Sequence, residues 1–353
     1  MIFDKRQTFI AKGMATLMLL WHHLFGSYSI FLDKVISLLS FKGIPVECII
    51  ASFCKICVAI FVLLSGYGLY KSYNKKSNDS TVLSKKQKII GDITFVKNHL
   101  IKIMFDFWLV YIIFVIMGIF FNHDAFEIYR GNFLYFLIDF FGFSYLFNTP
   151  SLNETWWFMS VILIYYLFFP IFVKLFKYSA EVFLSLSFLL IFIPYVDARQ
   201  LNVWLFSFVL GMYISKYNLF ELLSSKLNTI PKSIFFTFFA LCVVTLIRFV
   251  LIEQSVVFDG LFSIPIILLC YLLISKIKLI SNAFCVLGKY SGYIFMFHTF
   301  IFEYYFHDFI YEFKYPVLIY IVMIIVCIVF AFTISWIKKL TQIERLENKL
   351  IRR

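Results

Sequence analysis

Three histidines sit in stretches of this chain that are otherwise apolar. His22 and His23 are adjacent in Lys12-Gly13-Met14-Ala15-Thr16-Leu17-Met18-Leu19-Leu20-Trp21-His22-His23-Leu24-Phe25, and His298 closes Leu287-Gly288-Lys289-Tyr290-Ser291-Gly292-Tyr293-Ile294-Phe295-Met296-Phe297-His298. An ionisable side chain within lipid is costly, which makes each one a candidate functional residue. Histidine exchanges a proton near neutral pH, so proton transfer is the chemistry open to it. Lys12 lies eleven residues before His23. On a helix that spacing is close to three turns, so the two share a face about 16 Å apart along the axis. His22 points ~100° away from His23 and reads as a packing residue. His298 lies slightly shallower in its helix than His23 does in its own, and the two could face one cavity.

Other polar groups have plainer alternatives. Asp106 could pair with Lys102 one helical turn before it. Trp156 and Trp157, in Asn153-Glu154-Thr155-Trp156-Trp157-Phe158-Met159-Ser160, could be interfacial anchors. Ser65-Gly66 could be a small-residue packing face. Cys54 and Cys57 have a two-residue spacing, but no second ligand pair follows. They read as packing residues, with no metal site.

The elements that must position these groups are membrane helices. Of the 353 residues, 62% are hydrophobic and 15% charged, 48 are Phe, and mean hydropathy is +0.90. Soluble domains are nearer 45–50% apolar. The composition predicts an all-α polytopic membrane protein with one membrane domain over 1–353 (core 10–337). Runs of ~20 apolar residues predict ten spans, at 10–31, 49–70, 100–121, 155–176, 181–196, 201–216, 233–251, 259–276, 289–306 and 316–337. The segments 181–196 and 201–216 read as a hairpin with its turn at Asp197-Ala198-Arg199. Segment 131–148 reads as interfacial or re-entrant. The first span lacks a small-residue cleavage site and should remain as an anchor.

Sidedness follows from charge. With ten spans and a cytoplasmic N-terminus, 25 of the 32 Lys and Arg residues fall inside, among them a basic loop at 71–98 and a basic tail at 338–353. Only Lys34, Lys42, Lys55, Arg130, Arg199, Arg248 and Lys314 fall outside. By the positive-inside rule both termini are then cytoplasmic. The net charge of +12 has the same origin and does not point to nucleic acid, for which no motif is present.

Taken in order, the motifs resemble those of the acyltransferase-3 family of integral membrane acyltransferases. Lys12-Gly13 followed by His23 fits the family's basic residue, small residue and histidine eleven positions on. Phe61-Val62-Leu63-Leu64-Ser65-Gly66-Tyr67 matches its Ser-Gly-aromatic signature. Phe95-Val96-Lys97-Asn98-His99-Leu100-Ile101-Lys102 matches its basic stretch, although members usually carry Arg where His99 and Lys102 stand. Trp157-Phe158-Met159-Ser160 and Leu287-Gly288-Lys289-Tyr290-Ser291, followed by His298, complete the set. The chain is similar to the compact members that lack an added hydrolase-like domain.

The resemblance implies transfer of an acyl group, usually acetyl, from cytoplasmic acyl-CoA to a hydroxyl of a cell-surface or lipid-linked carbohydrate, in the cell membrane. No permanently bound cofactor is implied. His23 would act as general base or form an acyl-histidine. His298 would bind the acceptor or orient the acyl carbonyl. Lys12, Lys97 and Lys102 would attract the CoA phosphates. Lys12 stands where many members have Arg, so it offers a compact charge in place of a bidentate fork. Ser65, Trp157, Ser160, Tyr290 and Ser291 would contact substrate. The rival reading is a proton-coupled transporter or flippase of a glycan precursor. Against it, the chain lacks paired broken helices and internal symmetry.

Overall fold

A computed structural model describes residues 2–78, 84–121, 123–193, 199–227, 229–250 and 255–352. The chain is all-α apart from a two-residue β-hairpin, β1 (Ser40–Phe41) paired antiparallel with β2 (Ile44–Pro45). Its Lys42-Gly43 turn has both φ angles positive, at 51° and 80°, as a two-residue type I′ loop requires. The helices used below are α1 (Lys5–Phe25), α2 (Val46–Cys54), α3 (Cys57–Asn78), α4 (Lys85–Gly118), α5 (Phe133–Phe140), α6 (Trp157–Tyr178), α7 (Ala180–Leu189), α8 (Arg199–Lys216), α9 (Leu219–Lys226), α10 (Ile230–Val250), α11 (Asp259–Leu272), α12 (Lys278–Thr299), α13 (Pro316–Leu340) and α14 (Ile343–Arg352).

Six helical stretches among the described residues are long and apolar enough to cross a membrane, or seven if the bent pair α8 and α9 is one span. The sequence predicts ten. Each predicted segment contains a helix, but α1 and α12 are diluted by Lys12, His22, His23, Lys289 and His298. The helix at 180–192 is short. The turn expected at 194–198 lies outside the described residues.

One further expectation is corrected. The basic stretch 71–98 is mostly helix: α3 continues to Asn78 and α4 starts at Lys85. A capping box starts α4, with the Ser84 hydroxyl accepting from Gln87 N and the Gln87 side chain accepting from Ser84 N. Such a box supplies partners for two of the N–H groups that a helix start leaves free. The tail 338–353 is likewise helical over α14, which packs on α4.

Lys338 is the reason that tail docks. Its Nζ lies 2.7 Å from Asp106 Oδ1 and 2.6 Å from Glu347 Oε2, and Tyr293 OH donates to the same Asp106 oxygen at 2.7 Å. Asp106 therefore pairs across 232 residues of sequence, and the pairing predicted with Lys102 does not form. Asp106→Asn is expected to cost about 1.5–3 kcal/mol, the range for hydrogen bonds to charged groups. It should lower the melting temperature of the detergent-solubilised protein. An unchanged melting temperature would show that the cluster carries no net stability.

Segment 131–148 forms no spanning helix. It folds as α5 and a short helix at Ser144–Phe147, too short to span. Phe140 stacks on Trp108 with ring centroids 5.3 Å apart, and Trp108 Nε1 donates to Phe140 O. Trp108 lies ten residues inside the end of α4, about 15 Å along its axis. Buried Asp139 secures the loop by accepting from Tyr129 OH, Ser151 Oγ and Leu152 N.

The packed interior forms two apolar clusters, one with Tyr67, Phe208 and Tyr271, the other with Phe107, Phe114 and Phe300. Trp21 and Phe295 pack against both, so α1 and α12 lie at the seam. These two helices run parallel, with Arg6 bonded to Ser281 and Asn282 at one end and His23 beside His298 at the other. They cross at glycine. A Cβ on Gly13 would fall 2.0 Å from Phe284 O, and one on Gly288 would fall 1.8 Å from Phe9 O. A second crossing joins α3 to α8, where a Cβ on Gly66 or Gly211 would meet the facing backbone at 2.1 or 2.0 Å. Absent side chains let backbones approach this closely. The packing reading of Ser65-Gly66 is thus the one the helices use.

Candidate active site

The glycine crossing puts two histidines level. His23 is ten residues beyond Gly13, and His298 is ten residues beyond Gly288. On parallel helices in contact, equal steps bring the two side chains to one height. Their ring centroids are 4.8 Å apart.

The two rings differ in freedom. His298 is fully buried, and its Nδ1 lies 2.9 Å from Phe295 O and 3.1 Å from Ile294 O. Carbonyl oxygens only accept, so Nδ1 carries the proton and Nε2 presents a lone pair when the ring is neutral. Nε2 lies 3.5 Å from Thr299 Oγ1, and Thr299 Oγ1 lies 3.3 Å from Thr155 Oγ1. Thr155 in turn donates to Asn153 Oδ1 at 2.8 Å. His22 Nδ1 lies 2.8 Å from Ala51 O, so it donates to α2. His23 has no such tether among the described residues, and its ring is free to act.

Just past His298 the helix widens into a π segment, Phe300–Tyr305. The Phe300 N–H turns to the Phe297 and His298 carbonyls. Met296 O then accepts from Trp156 Nε1 at 2.8 Å and Asn153 Nδ2 at 3.5 Å. Such local π turns are frequent at functional sites. Trp156 is thereby fixed as a buried structural residue, 1% exposed.

His22 and His23 line a cavity of about 1010 Å³ between α1, the α2–α3 junction, the start of α6 and the start of α8. One wall is aromatic: Trp157 stacks on Trp204 with centroids 6.4 Å apart and planes 21° apart. Trp204 is held by its Nε1 donating to Gln200 Oε1 at 2.8 Å. Lys55, Thr155, Arg199 and Gln200 supply the polar lining.

Of the substrate contacts expected from sequence, Trp157 alone lines this cavity. Ser65, Ser160 and Ser291 spend their hydroxyls on the backbone carbonyls of Phe61, Gly142 and Gly288 at 2.8, 2.6 and 2.9 Å. Tyr290 packs on Phe332. These four do not face the histidines. Lys97 borders a separate apolar groove of about 430 Å³ on α4 and α6, and Lys102 is exposed. Lys12 is half-buried, and among the described residues no carboxylate lies within ion-pair distance of it. Trp204, Lys55, Arg199 and Gln200 were not singled out from sequence as site residues. A signal for the two cations is in the sequence, since the charge count puts both in the minority group of seven Lys and Arg.

A family model described as an acyltransferase domain, that of acyltransferase-3, matches residues 10–338. The chain belongs to the acyltransferase-3 family. It is a multi-pass membrane protein of acyltransferase type. No curated relative and no solved structure matches it significantly. The matched span contains both glycine crossings, His23, His298 and the whole lining of the cavity. In this acyltransferase the described residues include no cluster of His, Cys, Asp and Glu suited to a metal.

Proposed function

We propose that this acyltransferase moves an acyl group, acetyl in the simplest case, from cytoplasmic acyl-CoA to a hydroxyl of a cell-surface or lipid-linked carbohydrate. The single observation that carries the reading is the untethered His23 ring, set beside His298 at the wall of a cavity with an aromatic face. The distribution of Lys and Arg supports a cytoplasmic location for both termini, in the cell membrane.

His23 takes the proton from the acceptor hydroxyl as the oxygen attacks the thioester carbonyl carbon. The carbon–sulfur bond then breaks, and the CoA thiolate leaves with a proton returned from the imidazolium. His298, fixed in one tautomer, packs against the His23 ring and orients it. Trp157 and Trp204 offer flat faces against which a sugar ring can rest. An acyl-His23 intermediate is the second route, in which the imidazole attacks the thioester and the acceptor hydroxyl later displaces it.

α1 is unbroken from Lys5 to Phe25, so Lys12 and His23 are separated by about 16 Å along it. A pantetheine arm can bridge that length. Lys12, aided by Lys97 and Lys102, then holds the CoA phosphates on the cytoplasmic side. Lys12→Ala is expected to raise the KM for acyl-CoA roughly tenfold, as loss of a charge-assisted contact would, with a smaller effect on the acceptor KM. An unchanged acyl-CoA KM would remove Lys12 from the donor site.

Labelled acetyl-CoA supplied to membranes tests the reaction itself. Label recovered on glycan supports transfer. Uptake of a glycan precursor without modification would instead favour a carrier.

A further inference from the structure

The charge count assigns seven Lys and Arg residues to the outer side; three of them have partners, and Arg130 and Lys314 are absent from the cavity lining. Arg248 is buried against Asp259 and also donates to Ser52 O at 2.8 Å. Lys34 bonds Asp308 at 2.5 Å and holds that carboxyl below the usual carboxylate range. Lys42 lies over the Phe41 ring. Lys55 and Arg199 differ. Both line the cavity, one from the α2–α3 junction and the other from the start of α8. Among the described residues, neither lies within ion-pair distance of a carboxylate. The described lining includes no Asp or Glu, while His22 and His23 add two groups that can only become positive.

A cavity walled partly by low-dielectric protein focuses the field of its charges. Two cations on different elements, with no carboxylate partner among the described residues and an aromatic face in the same lining, fit a ring that carries negative charge. We infer that the acceptor is an anionic glycan, bearing carboxylate or phosphate groups that Lys55 and Arg199 neutralise while its ring lies on Trp157 and Trp204. The inference rests on the reading that the acceptor occupies this cavity. It adds specificity: like charges in the lining have no attraction for a neutral glycan, and they raise the local concentration of an anionic one.

The test is binding to purified protein in neutral detergent, with acyl transfer measured in parallel. The probes are a hexamer of galacturonic acid, the same hexamer with its carboxyls reduced to alcohols, and a hexamer of glycerol phosphate. The galacturonate, the phosphate oligomer or both should bind about five- to tenfold more tightly than the reduced hexamer, the scale expected of two partly exposed charge pairs. Tighter binding of one anion over the other identifies the group. Raising salt from about 50 to about 500 mM should erase the preference, because exposed pairs are screened at that strength. That arm needs no variant and stands even where a substitution fails to fold. The double substitution Lys55→Gln and Arg199→Gln should bring the anionic hexamer down to the affinity of the reduced one. Equal binding of charged and reduced probes, no binding of either anion, or a preference that survives the double substitution overturns the inference. Charge-selective binding without transfer from acetyl-CoA would leave the anion site standing and overturn the acyltransfer reading.

Discussion

Alanine at position 23 is expected to lower acyl transfer by roughly 10²- to 10⁴-fold, the range for loss of a positioned general base. Protein abundance in the membrane should be unchanged. The expectation rests on a contrast among three neighbouring rings. His22 donates to Ala51 O, and His298 donates to two carbonyls of its own helix. His23 touches both neighbours, at centroid distances of 5.1 and 4.8 Å, yet reaches the cavity untethered. His23→Gln should fail as His23→Ala does, because an amide fills similar space and cannot take up the proton. His22→Ala should retain most turnover, since it loses one hydrogen bond at the end of α1. If His23→Ala turns over at the wild-type rate in the acetyl-CoA assay, the histidine is not the base. The double variant His23→Ala, His298→Ala should be little worse than His23→Ala alone, because groups that act as one unit are not additive.

The second large effect comes from a position that touches no substrate. Gly288→Ala puts a methyl group where Phe9 O already stands, at 1.8 Å, and Gly13→Ala does the same against Phe284 O at 2.0 Å. The obstacle is backbone in both cases, so no rotamer change can relieve it. α1 and α12 must separate, at a cost of about 1–3 kcal/mol or more for overpacking. The histidines ride on those helices ten residues further along. A shift of ~1 Å between reacting groups can cost 10²-fold in rate, so turnover should fall by about that factor even in protein that still folds. The control is a glycine in a different setting. Gly292 has open space at its Cβ position, and Gly292→Ala should be tolerated. Full activity of Gly288→Ala would show that the crossing does not set the register.

These two expectations also show what was legible beforehand. The class of protein follows from hydropathy, and the pairing of Lys12 with His23 on one face follows from helical period, because both are local properties of one segment. That His298 joins His23 was suggested by their depths. The cause, a crossing at Gly13 and Gly288, is a contact between residues 275 apart and has no local signature. Serine was over-read. Ser65, Ser160 and Ser291 sit in signature stretches, but a hydroxyl in or beside a helix readily bonds a nearby carbonyl, as all three do. Asp106 shows the reverse: helical spacing offers Lys102 one turn away, and the partner is Lys338 on α13. Polar composition hid the helices at 71–78 and 85–98, since Lys and Gln form helices well. The cavity wall was half legible, with Trp157 in a signature and Trp204, its stacking partner 47 positions later, in none.

The union of α1 with α12 has a consequence for how the protein is made. The two histidines are 275 residues apart in sequence, so a chain still on the ribosome holds His23 without His298 while that length is made. Domains made at about 5–20 residues per second leave that first helix waiting on the order of tens of seconds in the bilayer. During that interval His22 can already reach Ala51 O on α2, while His23 has yet to meet its ring partner. The histidine pair therefore assembles late and at once, when α12 joins α1.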